Sequence, residues 1–277
     1  MKKILITGAN SFIGTSFESY MKQFGSEYQI DTLNMREPSW IEYDFSEYDM
    51  VFHVAGIAHA DVSKVSEDTK KLYYQVNRDL AIETANKYKE SRADKKSQFI
   101  YMSSIIIYGE ETNIHKKRII TPATLPSPSN FYGDSKLQAE KGLLPLESEA
   151  FKIAIIRPPM IYGEGSKGNY QQLVKLAKKL PVFPDIKNER SMLHINRLSQ
   201  FIKELIDLQD GGIYFPQDPE YVRTSRMVKK IAEDNGKKIH LFSSLNWAVY
   251  LMGYIPGKFG KLVNKAFGNL VYDVKED

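Results

Sequence analysis

The sequence predicts an α/β fold: a doubly wound parallel sheet followed by a smaller C-terminal substrate-binding lobe. Three observations carry this. Short apolar runs alternate with amphipathic helical stretches up to about residue 165. The first run, residues 2–7, ends in Gly8 and passes directly into a helical stripe. After Gly163 the alternation loosens into helical segments mixed with proline-rich loops.

Residues 2–7 read as a strand buried in a parallel sheet. Ile13, Phe17, Met21 and Phe24 then share one helical face. A second strand is expected over 29–35 and a third over 49–54, ending at Ala55-Gly56. Leu72, Val76 and Leu80 lie at helical spacing within a long helix over 67–90. Residues 98–102 form a strand. A helix over 130–144 is stopped by Pro145, which lacks the amide that would continue it. The strand over 152–156 is halted by Pro158-Pro159, and helices are expected over 170–180, 197–208 and 223–234. This pattern divides the chain into a dinucleotide-binding domain over 1–165, with a return segment near 191–215, and a lobe over 166–277. The Pro- and Ser-rich stretch 122–129 leads straight into the 130–144 helix and reads as an active-site loop rather than a domain boundary.

With 277 residues, 42% hydrophobic and 26% charged, the chain is long enough for a large core and ordinary for a soluble globular protein. The net charge of +4 suits an anionic small ligand and does not argue for nucleic acid. Cysteine is absent, which excludes disulfides and thiolate chemistry and fits a cytoplasmic protein. No His, Cys and carboxylate set has metal-ligand spacing, so no metal is expected. No signal peptide is expected, and no stretch approaches the roughly 20 apolar residues that cross a bilayer. The apolar run 245–255 is read as a buried helix of the second lobe, with a membrane-surface anchor as the lesser alternative.

Three motifs carry chemistry. Thr7-Gly8 through Ser11 to Gly14 stands between a strand and a helix, where first-turn amides can hold a pyrophosphate. Its middle position is Ser11 rather than glycine, which narrows the approach of a phosphate but supplies a hydroxyl. Ser103-Ser104 follows the strand at 98–102. Tyr132 and Lys136 are four apart in a helix and so share a face. A free phenol titrates near 10, and an adjacent ammonium favours the phenolate, so Tyr132 can exchange a proton with a substrate hydroxyl as general acid or base. Ser104 would bond the same oxygen, and a nicotinamide would carry the hydride. The tip of the second strand, Asn34-Met35-Arg36-Glu37, bears on the cofactor. A neutral Asn34 followed by Arg36 favours NADP over NAD; Glu37 leaves NAD open, and Arg36 as a solvated charge is the plain alternative.

In this order the motifs resemble the extended short-chain dehydrogenase/reductase family, in its nucleotide-sugar epimerase, dehydratase and reductase branch. The resemblance implies a Rossmann-type domain whose Gly8, Ser11, Phe12, Ile13 and Gly14 bind the dinucleotide. It further implies that Asp44-Phe45 lies against the adenine. Val54, Ala55 and Gly56 would form the turn beneath the cofactor, and Asn77 would be a helix asparagine beside the active site. Arg157-Pro158-Pro159 would be the strand-end motif near the nicotinamide. The segment from Arg190 resembles the one whose arginine grips the diphosphate of a nucleotide sugar. Asn169 and Tyr170 would be contacts for the sugar nucleotide. Plain readings stand beside these: His53 as a strand-end residue, His59 as polar loop, Asn77 as a satisfied helix residue, Arg190 as a surface charge, Tyr108 and Tyr162 as packing.

The resemblance implies hydride transfer at C4 of a UDP-linked hexose or 6-deoxyhexosamine, by a self-contained epimerase or by a 4-keto reductase, in bacterial surface-polysaccharide synthesis. A 4,6-dehydratase is disfavoured because Ile105 and Ile106 stand where that branch carries an acid–base pair. Homodimers through the helices over 67–90 and 130–144 are a further implication. A non-catalytic dinucleotide sensor or scaffold of the same fold is the alternative from another class; the retained Tyr132 and Lys136 weigh against it.

Overall fold

The computed structural model describes residues 1–58, 65–93, 95–166 and 168–274, so His59 lies outside the described residues. The chain forms two compact units. The first comprises Met1–Gly109, Pro126–Pro158 and His194–Pro216; the second comprises Glu110–Leu125, Pro159–Leu193 and Gln217–Asp277.

Along the chain the strands are β1 (Lys2–Thr7), β2 (Tyr28–Leu33), β3 (Met50–His53), β4 (Ser97–Met102), β5 (Lys117–Ile120), β6 (Phe151–Ile156), β7 (Met160–Tyr162), β8 (Val182–Pro184), β9 (Met192–His194), β10 (Gly212–Tyr214), β11 (His240–Phe242) and β12 (Asn269–Tyr272). The α-helices are α1 (Phe12–Met21), α2 (Glu67–Tyr74), α3 (Leu80–Ser91), α4 (Phe131–Leu143), α5 (Asn169–Lys179), α6 (Ile195–Leu208), α7 (Thr224–Asp234), α8 (Asn246–Met252) and α9 (Lys258–Phe267).

The first unit is built on a six-stranded sheet in the order β10-β6-β4-β3-β1-β2, with every ladder parallel. From β1 the chain passes to β2 on one side and to β3 on the other. The carboxyl ends of β1 and β3 therefore flank a topological switch point, where this class of sheet binds ligands. Thr7 sits opposite both Leu33 and His53 in register. The core joins Leu5, Val51, Phe99, Tyr101, Ile153 and Ile155 of the strands to Ala81, Ala85, Ala139 and Leu143 of the helices. Alanines at these helix positions let α3 and α4 approach the sheet closely.

The expected helix over 67–90 is interrupted. A π-turn spans Gln75–Asp79 between α2 and α3, and the Leu80 amide donates to the Gln75 carbonyl. Asn77 lies in this turn, and its carbonyl accepts from the Tyr101 hydroxyl at 2.9 Å. Such turns re-aim a side chain by shifting the helical ladder one residue. Helix α4 begins where expected: the Asn130 side chain accepts from the Gly133 amide at 2.9 Å. It ends in a 3-10 turn, Leu144–Leu146, that holds Pro145.

A buried polar network ties α4 to two strand ends. Glu140 (1% exposed) accepts from Arg157 Nη2 at 2.6 Å and from its Nε at 3.2 Å. Arg157 Nη1 donates to the Tyr108 hydroxyl at 2.7 Å, and Ser103 Oγ donates to Glu140. The pair locks the residues that follow β4 and β6 to the middle of α4.

The second unit has its own core, including Ala177, Phe183, Met192, Val228, Ile231 and Phe267. Parallel pairs β5–β12 and β8–β11 and the pair β7–β9 surround it. The run 245–255 departs from its expected burial. Within it α8 contains no buried residue, and Trp247 is 62% exposed. Only Val249 and Tyr250 pack against the core. Seven residues make two turns, too short to bury both sides of an apolar helix against one neighbour.

Glu140→Gln removes the buried carboxylate that pairs with Arg157 in the network. It is expected to destabilise the protein by about 3–5 kcal/mol, read as a lower urea midpoint. The double variant Glu140→Leu/Arg157→Met is expected to lose less than Glu140→Gln alone.

Candidate active site

The turn after β1 is fixed by glycine. Gly8 has φ +103°, and a Cβ there would stand 2.8 Å from the Ala55 amide nitrogen. Only glycine lets the turn adopt that angle and lie against Val54-Ala55. The amides of Gly8 and Ala9 both donate to the Leu33 carbonyl, which draws the end of β2 to the same place. Ser11 caps α1, its Oγ accepting from the Gly14 amide at 3.1 Å. A Cβ on Gly14 would meet that Oγ at 2.7 Å, so Ser11 occupies the space that Gly14 leaves. The Ser11 amide is bonded to Gly8. The amides of Phe12 and Ile13 in the first turn have no intrahelical acceptor and point along the positive end of the helix dipole.

Beyond β3, Gly56 borders Asn77 and Lys136: a Cβ there would lie 3.1 Å from Asn77 Oδ1 and 3.2 Å from Lys136 Nζ. Asn77 is fully buried. Its Oδ1 accepts from the Ile57 amide at 2.8 Å, and its Nδ2 donates to the Ile57 carbonyl and to Ser135 Oγ, both at 3.1 Å. Both ends of the amide are thus spent on the 56–57 turn and on α4, which makes Asn77 a positioning residue. His53 is fully buried, with Nδ1 2.9 Å from Thr7 Oγ1. Burial, and secondarily the Lys136 charge, hold its imidazole neutral with a pKa of about 3.

Lys136 donates to the Met102 carbonyl at the end of β4 at 2.8 Å, and its Nζ lies 4.7 Å from the Tyr101 ring centroid. Burial pulls its pKa down to about 8, while Glu140 one turn along α4 acts in the opposite direction. Tyr132 stands one turn before Lys136 on the same face of α4, its ring edge-on to Tyr73 at 5.9 Å. Ser104 caps the 3-10 turn Ile105–Tyr108, its Oγ accepting from the Ile106 amide at 3.3 Å. The Ile105 amide donates to the Pro158 carbonyl at 2.9 Å, so Pro158 anchors this turn through its main chain. Gly133 matters here: a Cβ on it would lie 2.7 Å from the Ile106 carbonyl oxygen. Glycine next to Tyr132 is what allows the Ser104 turn to press against α4.

At the end of β2, Asn34 Oδ1 accepts from the Arg36 amide and its Nδ2 donates to Glu37 Oε1 at 2.7 Å. Glu37 is thereby turned onto Asn34, while the Arg36 side chain is exposed. Asp31 lies within β2 and accepts from the Tyr48 hydroxyl at 3.0 Å. Asp44 is exposed and accepts from the Ser46 amide, which lowers its pKa. Phe45 is 1% exposed and packs on Tyr43 and Tyr88, so only its main chain is available to a ligand.

Asn169 and Arg190 belong to the second unit. Asn169 is the exposed first residue of α5. Arg190 is half-buried, its main chain bridged to Val222 and Leu270 and its Nε donating to the Gly268 carbonyl at 3.1 Å. Burial lowers its pKa to about 10, which leaves it charged at neutral pH. Among the described residues it has no carboxylate partner.

Sequence reading assigned no role to Gly133, Glu140 or Ser103. Glu140 was findable: a carboxylate one turn after Lys136, on the helix face that also carries Ala139 and Leu143, marks a partner for the lysine. Gly133 carries no such signal, because its role is a close approach by a residue distant in sequence.

The chain matches the family model described as the RmlD substrate binding domain over residues 1–188. It is 28% identical to a UDP-glucose 4-epimerase of Vibrio cholerae, across 99% of this chain and 88% of that protein. It is 27% identical to the N-acetyl-α-D-glucosaminyl-diphospho-ditrans,octacis-undecaprenol 4-epimerase of Escherichia coli O157:H7, across 85% of this chain and 73% of that protein. The dTDP-4-dehydrorhamnose reductase of Bacillus anthracis, solved in complex with NADP, superimposes with a TM-score of 0.67 at 18% identity, covering 96% of this chain and 99% of that one. That likeness concerns the fold; the family match spans 188 of 277 residues, and the chain belongs to the RmlD substrate binding domain family, within the extended short-chain dehydrogenase/reductases.

Proposed function

We propose that the chain is an NAD(P)-dependent nucleotide-sugar epimerase or 4-keto reductase. It would move hydride at C4 of a UDP-hexose or a UDP-4-keto-6-deoxyhexosamine, in bacterial surface-polysaccharide synthesis in the cytoplasm. The observation that carries this reading is Lys136: a buried ammonium anchored on the Met102 carbonyl, one helical turn from Tyr132, beside the strand end that presents Ser104. The curated relatives' names supply the epimerase chemistry.

The residues present fit a dinucleotide. The Gly8 turn leaves the Phe12 and Ile13 amides to a pyrophosphate, and the loop after β2 presents Arg36 with Glu37 drawn aside, which suits a 2′-phosphate. NADP is therefore favoured over NAD. When bound, the nicotinamide accepts or donates the hydride. The protein's part is the proton. As hydride leaves C4, the proton of the C4 hydroxyl passes to Tyr132 Oη; in the reverse sense Tyr132 returns it. Lys136 supports the phenolate, and Ser104 bonds the same sugar oxygen. Arg190, a cation without a carboxylate partner among the described residues, suits the diphosphate of the nucleotide sugar. Ile105 and Ile106 cannot transfer protons, so elimination of water is not part of this reading.

A second reading concerns what carries the sugar. One relative is named for a polyprenol-linked sugar, and the exposed apolar face of α8 and α9 is compatible with a lipid-linked substrate. Turnover of a polyprenyl-diphospho-sugar with no turnover of UDP-sugars would select it.

Tyr132→Phe is expected to lower turnover by about 100- to 10,000-fold, the usual worth of a general acid–base group, while dinucleotide affinity measured by calorimetry stays within about threefold. An active Phe variant would sink the assignment. Lys136 carries its charge below pH 8 and loses it above, so kcat/KM should decline above about pH 8. A lysine in water would keep its charge to about 10.4, and a profile flat to pH 10 would contradict the role. Arg36→Ala should lower the preference for NADPH over NADH by about tenfold, the worth of a charge-assisted hydrogen bond of about 1.5 kcal/mol. Denaturing the purified protein separates the two reactions: released stoichiometric NAD(H) identifies an epimerase, and an empty protein that binds NADPH more tightly than NADH identifies a reductase.

A further inference from the structure

We propose that α8, α9 and the turn between them dock this protein on an anionic lipid bilayer. The inference rests on this surface alone and not on the reaction. Trp247 and Leu251 lie one turn apart on the outer face of α8, Tyr254 and Ile255 follow in the turn, and Phe259 and Leu262 lie on α9; all six are at least half exposed, Phe259 at 76%. Contiguous exposed aromatic and aliphatic side chains mark an interaction site.

The charges around this face select the partner. On α9, Phe259 and Leu262 (i, i+3) form one exposed stripe, and Lys258, Lys261 and Lys265 (i, i+3, i+7) form the exposed stripe beside it. The chain has 34 Asp and Glu among 277 residues, so an even spread would place about five in 235–272; that stretch has none, and five lysines. None of Lys258, Lys261 and Lys265 has a carboxylate partner among the described residues. An amphipathic surface with aromatics on one stripe, lysines on the next and no acidic residue matches a layer of anionic headgroups over acyl chains. A second copy fits less well: a twofold contact through this face would set the lysine stripe against its own like. The face is held rigidly from below, since Val263 and Phe267 enter the core of the unit and Asn264 Nδ2 donates to the Gly253 carbonyl at 2.9 Å.

The test uses the full chain and sugar-free vesicles, so it is independent of any substrate. The protein is expected to co-sediment with vesicles of phosphatidylcholine containing 30% phosphatidylglycerol at least tenfold more strongly than with phosphatidylcholine alone, with the preference fading in high salt. The chain has two tryptophans; Trp40 is 8% exposed, so a blue shift of emission on binding reports Trp247. Trp247→Phe should keep binding and lose the shift. Lys258→Glu/Lys261→Glu/Lys265→Glu and Phe259→Ser/Leu262→Ser change exposed residues, so each should keep the parent melting temperature and lose vesicle binding at least tenfold. Absence of binding to the anionic vesicles would overturn the proposal, as would binding that both variants retain. So would a micromolar dimer in sedimentation equilibrium that Phe259→Ser/Leu262→Ser converts to monomer, which would assign the face to a second copy.

Discussion

The burial of the Lys136 ammonium is the constraint around which the first unit is arranged. Taking a cation out of water is costly, and the cost is met only by close and well-directed partners. The Met102 carbonyl, the face of Tyr101 and the carboxylate of Glu140 one turn away supply them. Glu140 is itself buried and requires Arg157, which in turn requires Tyr108. One charge therefore dictates a chain of partners that fixes α4 against the ends of β4 and β6. The same register sets Tyr132, which is on α4, and Ser104, which follows β4. Stability and the geometry of the site are here the same set of contacts.

Two adjustments make that register possible. Gly133 removes the side chain that would strike the Ile106 carbonyl, so the turn bearing Ser104 closes on α4. The π-turn at Gln75–Asp79 displaces Asn77 from the regular helical ladder. Its carbonyl then meets Tyr101, and its amide spans from the 56–57 turn to Ser135. Asn77 thereby links the turn after β3 to the helix that carries Lys136.

These features show what was legible in the sequence and what was not. Strands such as 2–7 and 152–156 are written as local apolar runs and were readable. The motif order Gly8, Ser104, Tyr132, Lys136 was readable because the chemistry fixes residue types as well as spacing. The π-turn was not, because Leu72, Val76 and Leu80 keep a helical rhythm straight through it, and the partners that Asn77 meets there, Tyr101 and Ser135, are distant in sequence. The exposure of α8 was not readable either. Apolar content argues for burial, but burial needs a neighbouring surface, and α8 offers the core only Val249 and Tyr250. The lysines flanking that run and the missing carboxylates were the sequence signal that bore on it.

In the proposed reading, Ser104, Tyr132 and Lys136 would serve equally to oxidise a hydroxyl or to reduce a ketone, since the proton path is the same in both directions, and the choice of reaction falls to residues outside these three. In the proposed reading, an epimerase and a reductase differ in whether the dinucleotide stays through the cycle. That depends on how firmly its adenosine end is held, and hence on the loop after β2. There the Asn34 side chain is committed to the Arg36 amide and to Glu37, so the loop is pre-shaped by its own hydrogen bonds. The carboxylate that would bond a ribose hydroxyl is drawn onto Asn34, and the exposed cation is Arg36. In the proposed reading, the exposed Arg36 adds a salt-screened contact to the pyrophosphate grip of the Phe12 and Ile13 amides, so retention of the cofactor through the cycle is expected to weaken as ionic strength rises.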